Sequence, residues 1–188
     1  MANAWKVVAL MVPVALVAAC TDGAKAPAEA AMAAASTAME SLKGDAARYA
    51  PEEVKKLEST YGVARDSLAN KDYQGALTFT KDIPARAKEV LAKADAAKAD
   101  LAKAWKEAGD GIASTLEAAK HHLSGHGKPP AGLDKAGLAR VHADLQSIED
   151  GWATAKAQYG SGDLSGAVAK AKELNAQGQE VLKALGAR

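Results

Sequence analysis

The sequence predicts an all-α fold, an elongated antiparallel helical bundle of four to five helices built from two repeated helical hairpins. Three observations predict it. Alanine is abundant and aromatic residues make up only 4% of the chain, a composition that favours tightly packed helices around a thin core. Apolar residues recur at steps of three and four, and the period-two runs of β-branched and aromatic residues that mark strands are missing. One stretch also occurs twice. Lys71-Asp72-Tyr73-Gln74-Gly75-Ala76 returns as Gly162-Asp163-Leu164-Ser165-Gly166-Ala167. At the same offset Glu58 matches Glu149, Ala64 matches Ala155, and Glu89-Val90-Leu91 matches Glu180-Val181-Leu182.

The chain opens on Met1-Ala2-Asn3-Ala4-Trp5-Lys6 and continues as an apolar run from Val7 to Ala19, broken only by Pro13. That run has the length of a signal peptide and falls short of the roughly twenty residues that span a bilayer. It ends in Val17-Ala18-Ala19-Cys20. This is an aliphatic residue and two small ones before a cysteine, and it resembles the lipobox of bacterial lipoproteins. The resemblance implies a leader over residues 1–19, lipidation of Cys20, and a membrane contact through the lipid. Each buried methylene of an acyl chain contributes about 0.8 kcal/mol, so several chains hold firmly. Thr21 stands where an aspartate would signal inner-membrane retention, so the resemblance implies the outer membrane, periplasmic face. Ordinary cleavage after Ala19 also satisfies the small-residue pattern. It would leave a free thiol at the N-terminus of an exported protein. Cys20 is the chain's one cysteine, so no intramolecular disulfide forms.

Residues 20–48 are read as an Ala-rich tether. Ala28 to Leu42 has helical potential, with an apolar face mostly of alanine plus Met32 and Met39, and can pack on the bundle or stand as a spacer; a partly ordered spacer is the favoured reading. Residues 49–188 are read as the bundle, with hairpins over about 51–108 and 133–188. The first helix starts at Pro51, a favoured first position, with Glu52 and Glu53 set against the helix dipole. Its stripe is Val54, Leu57, Tyr61, Ala64 and Leu68. Asp72 caps the second helix, in which Pro84 predicts a kink, not an end, because the apolar register continues on both sides. Gly109-Asp110-Gly111 leaves two readings, a turn or a continuous bent helix. The stripe through Trp105, Ile112 and Leu116 leans toward the second. Residues 125–132 form the long loop. A helix from about Asp134 follows, then one after Asp163. One hairpin leaves its stripe bare, so the two are expected to close on each other.

Gly44 to Leu101, about a third of the chain, resembles a small helical-hairpin domain of unknown function found in bacterial envelope lipoproteins. Tyr49-Ala50-Pro51-Glu52-Glu53, Leu57, Ala64-Arg65, Asp72-Tyr73 and Ala76 carry the likeness. The chain departs from the family at Phe79 and Pro84, where Ala-rich uninterrupted helix is usual. Such domains often accompany OmpA-like peptidoglycan-binding modules, and no such module is present in this sequence. The family supplies no catalytic residues.

Candidate chemistry is sparse. His121, His122 and His126 cluster near a helix end, and His122 and His126 are four apart, a spacing that suits a metal on one helical face. Gly125 falls between those two, no HExxH or CxxCH pattern exists, and histidine near a helix C-terminus also suits the dipole. Gly125-His126-Gly127-Lys128 lacks the spacing of a phosphate loop. Glu149 and Asp150 are adjacent and point apart on a helix, so they read as a solvated face. Tyr61, Trp105, Trp152 and Tyr159 lie on apolar stripes and read as core. The formal net charge is +1, and Lys6 is the only basic residue of the leader. Cleavage would leave 23 basic against 23 acidic side chains, a balance that does not draw nucleic acid. The expected function is a lipid-anchored scaffold, spacer or adaptor of the cell envelope, without catalysis or cofactor. Its expected partners are the membrane and, beyond it, envelope proteins or peptidoglycan. The alternative is a small periplasmic metal-binding protein using the loop histidines.

Overall fold

The computed structural model describes residues 19–124 and 133–186. Among them the chain is helical without a strand: α1 (Ala19–Glu40), α2 (Asp45–Tyr49), α3 (Pro51–Ala69), α4 (Tyr73–Thr80), α5 (Ile83–Ser124), α6 (Lys135–Gly160) and α7 (Leu164–Ala184). It is an all-α helical bundle. The chain divides into two compact units, residues 1–94 and 95–188.

The turn in each unit is built from the same parts. In the first, Lys71 takes a left-handed φ of 62° and Asp72 N–H reaches back to the Ser67 carbonyl at 2.9 Å. In the second, Gly162 takes φ 87° and Asp163 N–H reaches the Gln158 carbonyl at 3.0 Å. These bonds satisfy carbonyls that the helix end would leave bare. Each aspartate then caps the next helix. Asp72 Oδ1 accepts from Gly75 N at 2.9 Å, and Asp163 Oδ1 accepts from Gly166 N at 2.9 Å. Lysine at the left-handed position carries a Cβ penalty of about 1 kcal/mol that Gly162 avoids.

The first core joins Ala35, Leu42, Ala46, Ala50, Val54, Leu57, Ile83, Ala87 and Val90. Helix α1 packs on α3 and α4, burying Ala24, Ala28, Met32 and Ala35. The Ala-rich stretch over residues 20–48 thus contains a helix packed on the first unit, one of the two arrangements its helical potential allowed. Its alanine face forms a wall of the first unit, because small side chains at steps of three and four let two helices approach closely.

The second core joins Ala108, Ile112, Ala119, Val141, Leu145, Ile148, Leu174 and Val181. Here α6 and α7 pair, and the later part of α5 covers them. Each hairpin's stripe thus lines a core within its own unit.

Buried positions in the two units correspond at a spacing of 91 residues. Leu57 and Ile148, Ala64 and Ala155, Ala76 and Ala167, and Val90 and Val181 are all buried. The spacing also pairs the fully buried Ala28 of α1 with the fully buried Ala119 of α5. Two prolines account for the extra helix breaks of the first unit. Pro51 stands where the second unit has His142, and Pro84 where it has Asn175. A proline has no N–H to donate and pushes its predecessor out of helical geometry, and Ala50 adopts φ −137°. Thus α2 and α3 are separate, while α6 runs unbroken. The predicted kink at Pro84 is an end: α4 stops at Thr80, and Pro84 occupies the first turn of α5, where its missing donor costs little. The Thr80 hydroxyl turns back onto the Ala76 carbonyl at 2.8 Å.

Helix α5 continues through Gly109-Asp110-Gly111, as the apolar stripe leaned. Of the two glycines, Gly111 is the one in close approach, while Gly109 has room for a side-chain carbon in ordinary contact. A Cβ on Gly109 would lie 3.4 Å from the Trp152 ring, and one on Gly111 would lie 2.8 Å from Asn175 Oδ1.

Candidate functional site

Cys20 belongs to α1, in its first turn. Among the residues whose side chains are described, the first buried one is Ala24, four residues later. At about 1.5 Å of rise per residue, about 6 Å of helix separates the two.

His121 and His122 are both exposed in the last turn of α5, with ring centroids 6.1 Å apart and planes at 86°. They border a shallow hollow of about 320 Å³ with Ser114, Glu117 and Ala118. As neighbours in sequence they diverge around the helix, which is poor geometry for one ion. His126 lies outside the described residues. Among those described, no group of three histidine, cysteine or acidic side chains could hold a metal. The fourth histidine, His142, is exposed on α6 and borders a hollow with Lys120, Leu145 and Glu149.

Glu149 and Asp150 each have a local partner. Lys120 Nζ lies 2.8 Å from Glu149 Oε1, and Gln146 Nε2 donates to Asp150 Oδ1 at 3.0 Å. The aromatic residues of the second unit come together as a stack. Trp105 lies between Trp152, with centroids 4.5 Å apart, and Tyr159, at 4.6 Å. Tyr61 packs against the first core.

The sequence reading did not single out the cleft between α6 and α7. It has a volume of about 540 Å³. Leu133, Gly137, Val141 and Val181 supply its apolar surface, and Arg140, Asp144 and Glu180 stand exposed at its edge. The detectable signal lay in the internal comparison. The first unit has a hollow of about 170 Å³ lined by Glu53, Lys56, Arg86, Glu89, Val90 and Lys93, with Leu57 beneath. Those six sit 91 residues before Asp144, Ser147, Gln177, Glu180, Val181 and Ala184, all of which line the cleft. In the smaller hollow Lys93 Nζ lies 3.5 Å from Glu53 Oε1. The Glu53 carboxyl is lowered from its ordinary value, first by a hydrogen bond from its own backbone amide, which desolvation opposes, and then by Lys93 and Lys56.

No helix of the described residues is long and apolar enough to cross a membrane. Comparison with protein-family models, curated proteins and solved structures finds no match for this chain.

Proposed function

We propose that this chain is a bacterial envelope lipoprotein, anchored through Cys20 at the periplasmic face of the outer membrane. Its helical units act there as a non-catalytic scaffold or adaptor. One observation carries the reading: the apolar run from Val7 ends in Val17-Ala18-Ala19-Cys20. The packing of α1 supports a refinement. Ala24, four residues past Cys20, is buried, so acyl chains on Cys20 hold the first unit close to the lipid surface, without a long spacer.

The test is metabolic labelling with palmitate followed by membrane fractionation. The native chain takes up label and sediments with the outer membrane, and Cys20→Ser loses both. Label on the Cys20→Ser chain, or none on the native chain, removes the reading. Replacing His121, His122 and His126 together leaves anchoring unchanged. Loss of a zinc, copper or nickel signal on that replacement would favour metal binding instead.

A further inference from the structure

We propose that the cleft between α6 and α7 docks a partner segment that presents a lysine or arginine beside an apolar side chain. The two hollows stand at matching positions, and their charges differ in one consistent direction. The two acids of the first hollow, Glu53 and Glu89, are kept in the second as Asp144 and Glu180. The three cations, Lys56, Arg86 and Lys93, are replaced by the neutral Ser147, Gln177 and Ala184. Arg140 adds one cation at the edge, where the first unit has Tyr49.

The first hollow therefore contains its own answer to its acids. Lys93 reaches Glu53, and Tyr49 packs against the neighbouring core. In the second unit the residue matching Lys93 is Ala184, which ends at Cβ. No ion pair to Asp144 forms among the described residues. Glu180 meets only the exposed Lys183, at 3.8 Å. The result is a larger cleft with apolar walls, bordered by Asp144, which has no ion pair among the described residues, and by Glu180, whose partner is the exposed Lys183. A side chain entering from a partner can supply both missing parts, with apolar bulk over Val141 and Val181 and a cation at Asp144. An amphipathic helix laid in a groove presents such a pair on one face. Opposite charge at the edge favours this partner over an acidic one. The proposal stands whether or not Cys20 carries lipid, because every residue it uses lies in the second unit.

The test uses the full chain in detergent and two synthetic amphipathic peptides with the same leucine and tyrosine stripe. One carries flanking lysines and the other flanking glutamates. Fluorescence anisotropy is expected to show the lysine peptide binding at least about tenfold more tightly. Ala184→Lys, which installs the cation of the first unit, is expected to weaken that binding about tenfold, and Asp144→Lys by a similar factor. If Asp144→Lys fails to fold by circular dichroism, Ala184→Lys decides alone. Equal binding of both peptides, binding of neither, or indifference to Ala184→Lys overturns the proposal. It is also overturned if sedimentation shows a dimer that Ala184→Lys disperses, which assigns the cleft to a second copy. Binding that appears only after residues 125–132 are replaced by a Gly/Ser linker assigns it to the chain itself.

Discussion

Asn175 donates from Nδ2 to the backbone carbonyl of Ala108 at 2.8 Å, tying α7 to the middle of α5. A carbonyl has two lone pairs, so this bond adds to the helix's own ladder. Asn175 also stands where the first unit has Pro84, so one position chooses between a helix break and a cross-helix bond. Asn175→Leu is expected to cost about 1 kcal/mol, the usual net worth of such a bond. Asn175→Pro is expected to cost about 3 kcal/mol or more, with a loss of helix signal that the leucine variant does not show. Urea unfolding with far-UV circular dichroism measures both.

Gly178 and Thr115 are a close-approach pair. A Cβ on Gly178 would lie 2.5 Å from Thr115 Cγ2, and both residues are buried. Alanine at Gly178 gains about 1 kcal/mol of helix propensity and loses about 1–3 kcal/mol to overpacking, so Gly178→Ala is expected to destabilise. Thr115→Ser removes the colliding methyl and keeps the hydroxyl that Gln179 approaches at 3.5 Å. In the double variant the loss is expected to shrink by about 1 kcal/mol or more, a coupling that a double-mutant cycle reads directly.

The stack of Trp105 between Trp152 and Tyr159 gives a spectroscopic prediction. The two indole planes are inclined at 27°, so their strong transitions are skewed and couple, and the native protein is expected to show an exciton couplet at the long-wavelength edge of the far-UV circular dichroism band that Trp105→Phe and Trp152→Phe each abolish. Trp105→Ala is expected to destabilise the second unit by about 3 kcal/mol, at the lower end for a large aromatic because the ring is half-buried. A couplet that survives both phenylalanine variants would contradict the stacked geometry.

Glu53 gives the first unit an acid-sensitive contact. Its carboxyl titrates lower in the folded chain than its ordinary value, so the unfolded state binds protons first as pH falls. Its contribution is therefore fully present above about pH 4.3, the ordinary glutamate value, and fades as pH falls through the lower folded one. Glu53→Gln is expected to flatten this part of the stability profile and to leave stability near neutral pH little changed, because the pair with Lys93 is exposed. Urea midpoints measured from pH 3 to pH 7 check it.

Much of the fold was legible in the residues because its signals are local. Asp72 and Asp163 are caps whose chemistry acts within four residues. The stripe across Gly109-Asp110-Gly111 kept its register, and α5 follows it. Pro84 was misread as a kink. A proline forbids one hydrogen bond, but whether the helix bends or restarts depends on what the neighbouring turns pack against. The cleft between α6 and α7 was not legible, since it depends on Ala184 being too short to reach Asp144 across two helices.

By itself the sequence determined the helical class, the two capped turns, and the apolar faces that must be covered. It also supplied the motif at Cys20 on which the anchoring proposal stands. Only the tertiary structure decided which helix covers which face. An alanine stripe has the same spacing whether it lines a spacer or packs in a wall, and α1 proved to be a wall. The difference lies in the partner surface, and close approach between small residues leaves no mark on the spacing of either helix alone.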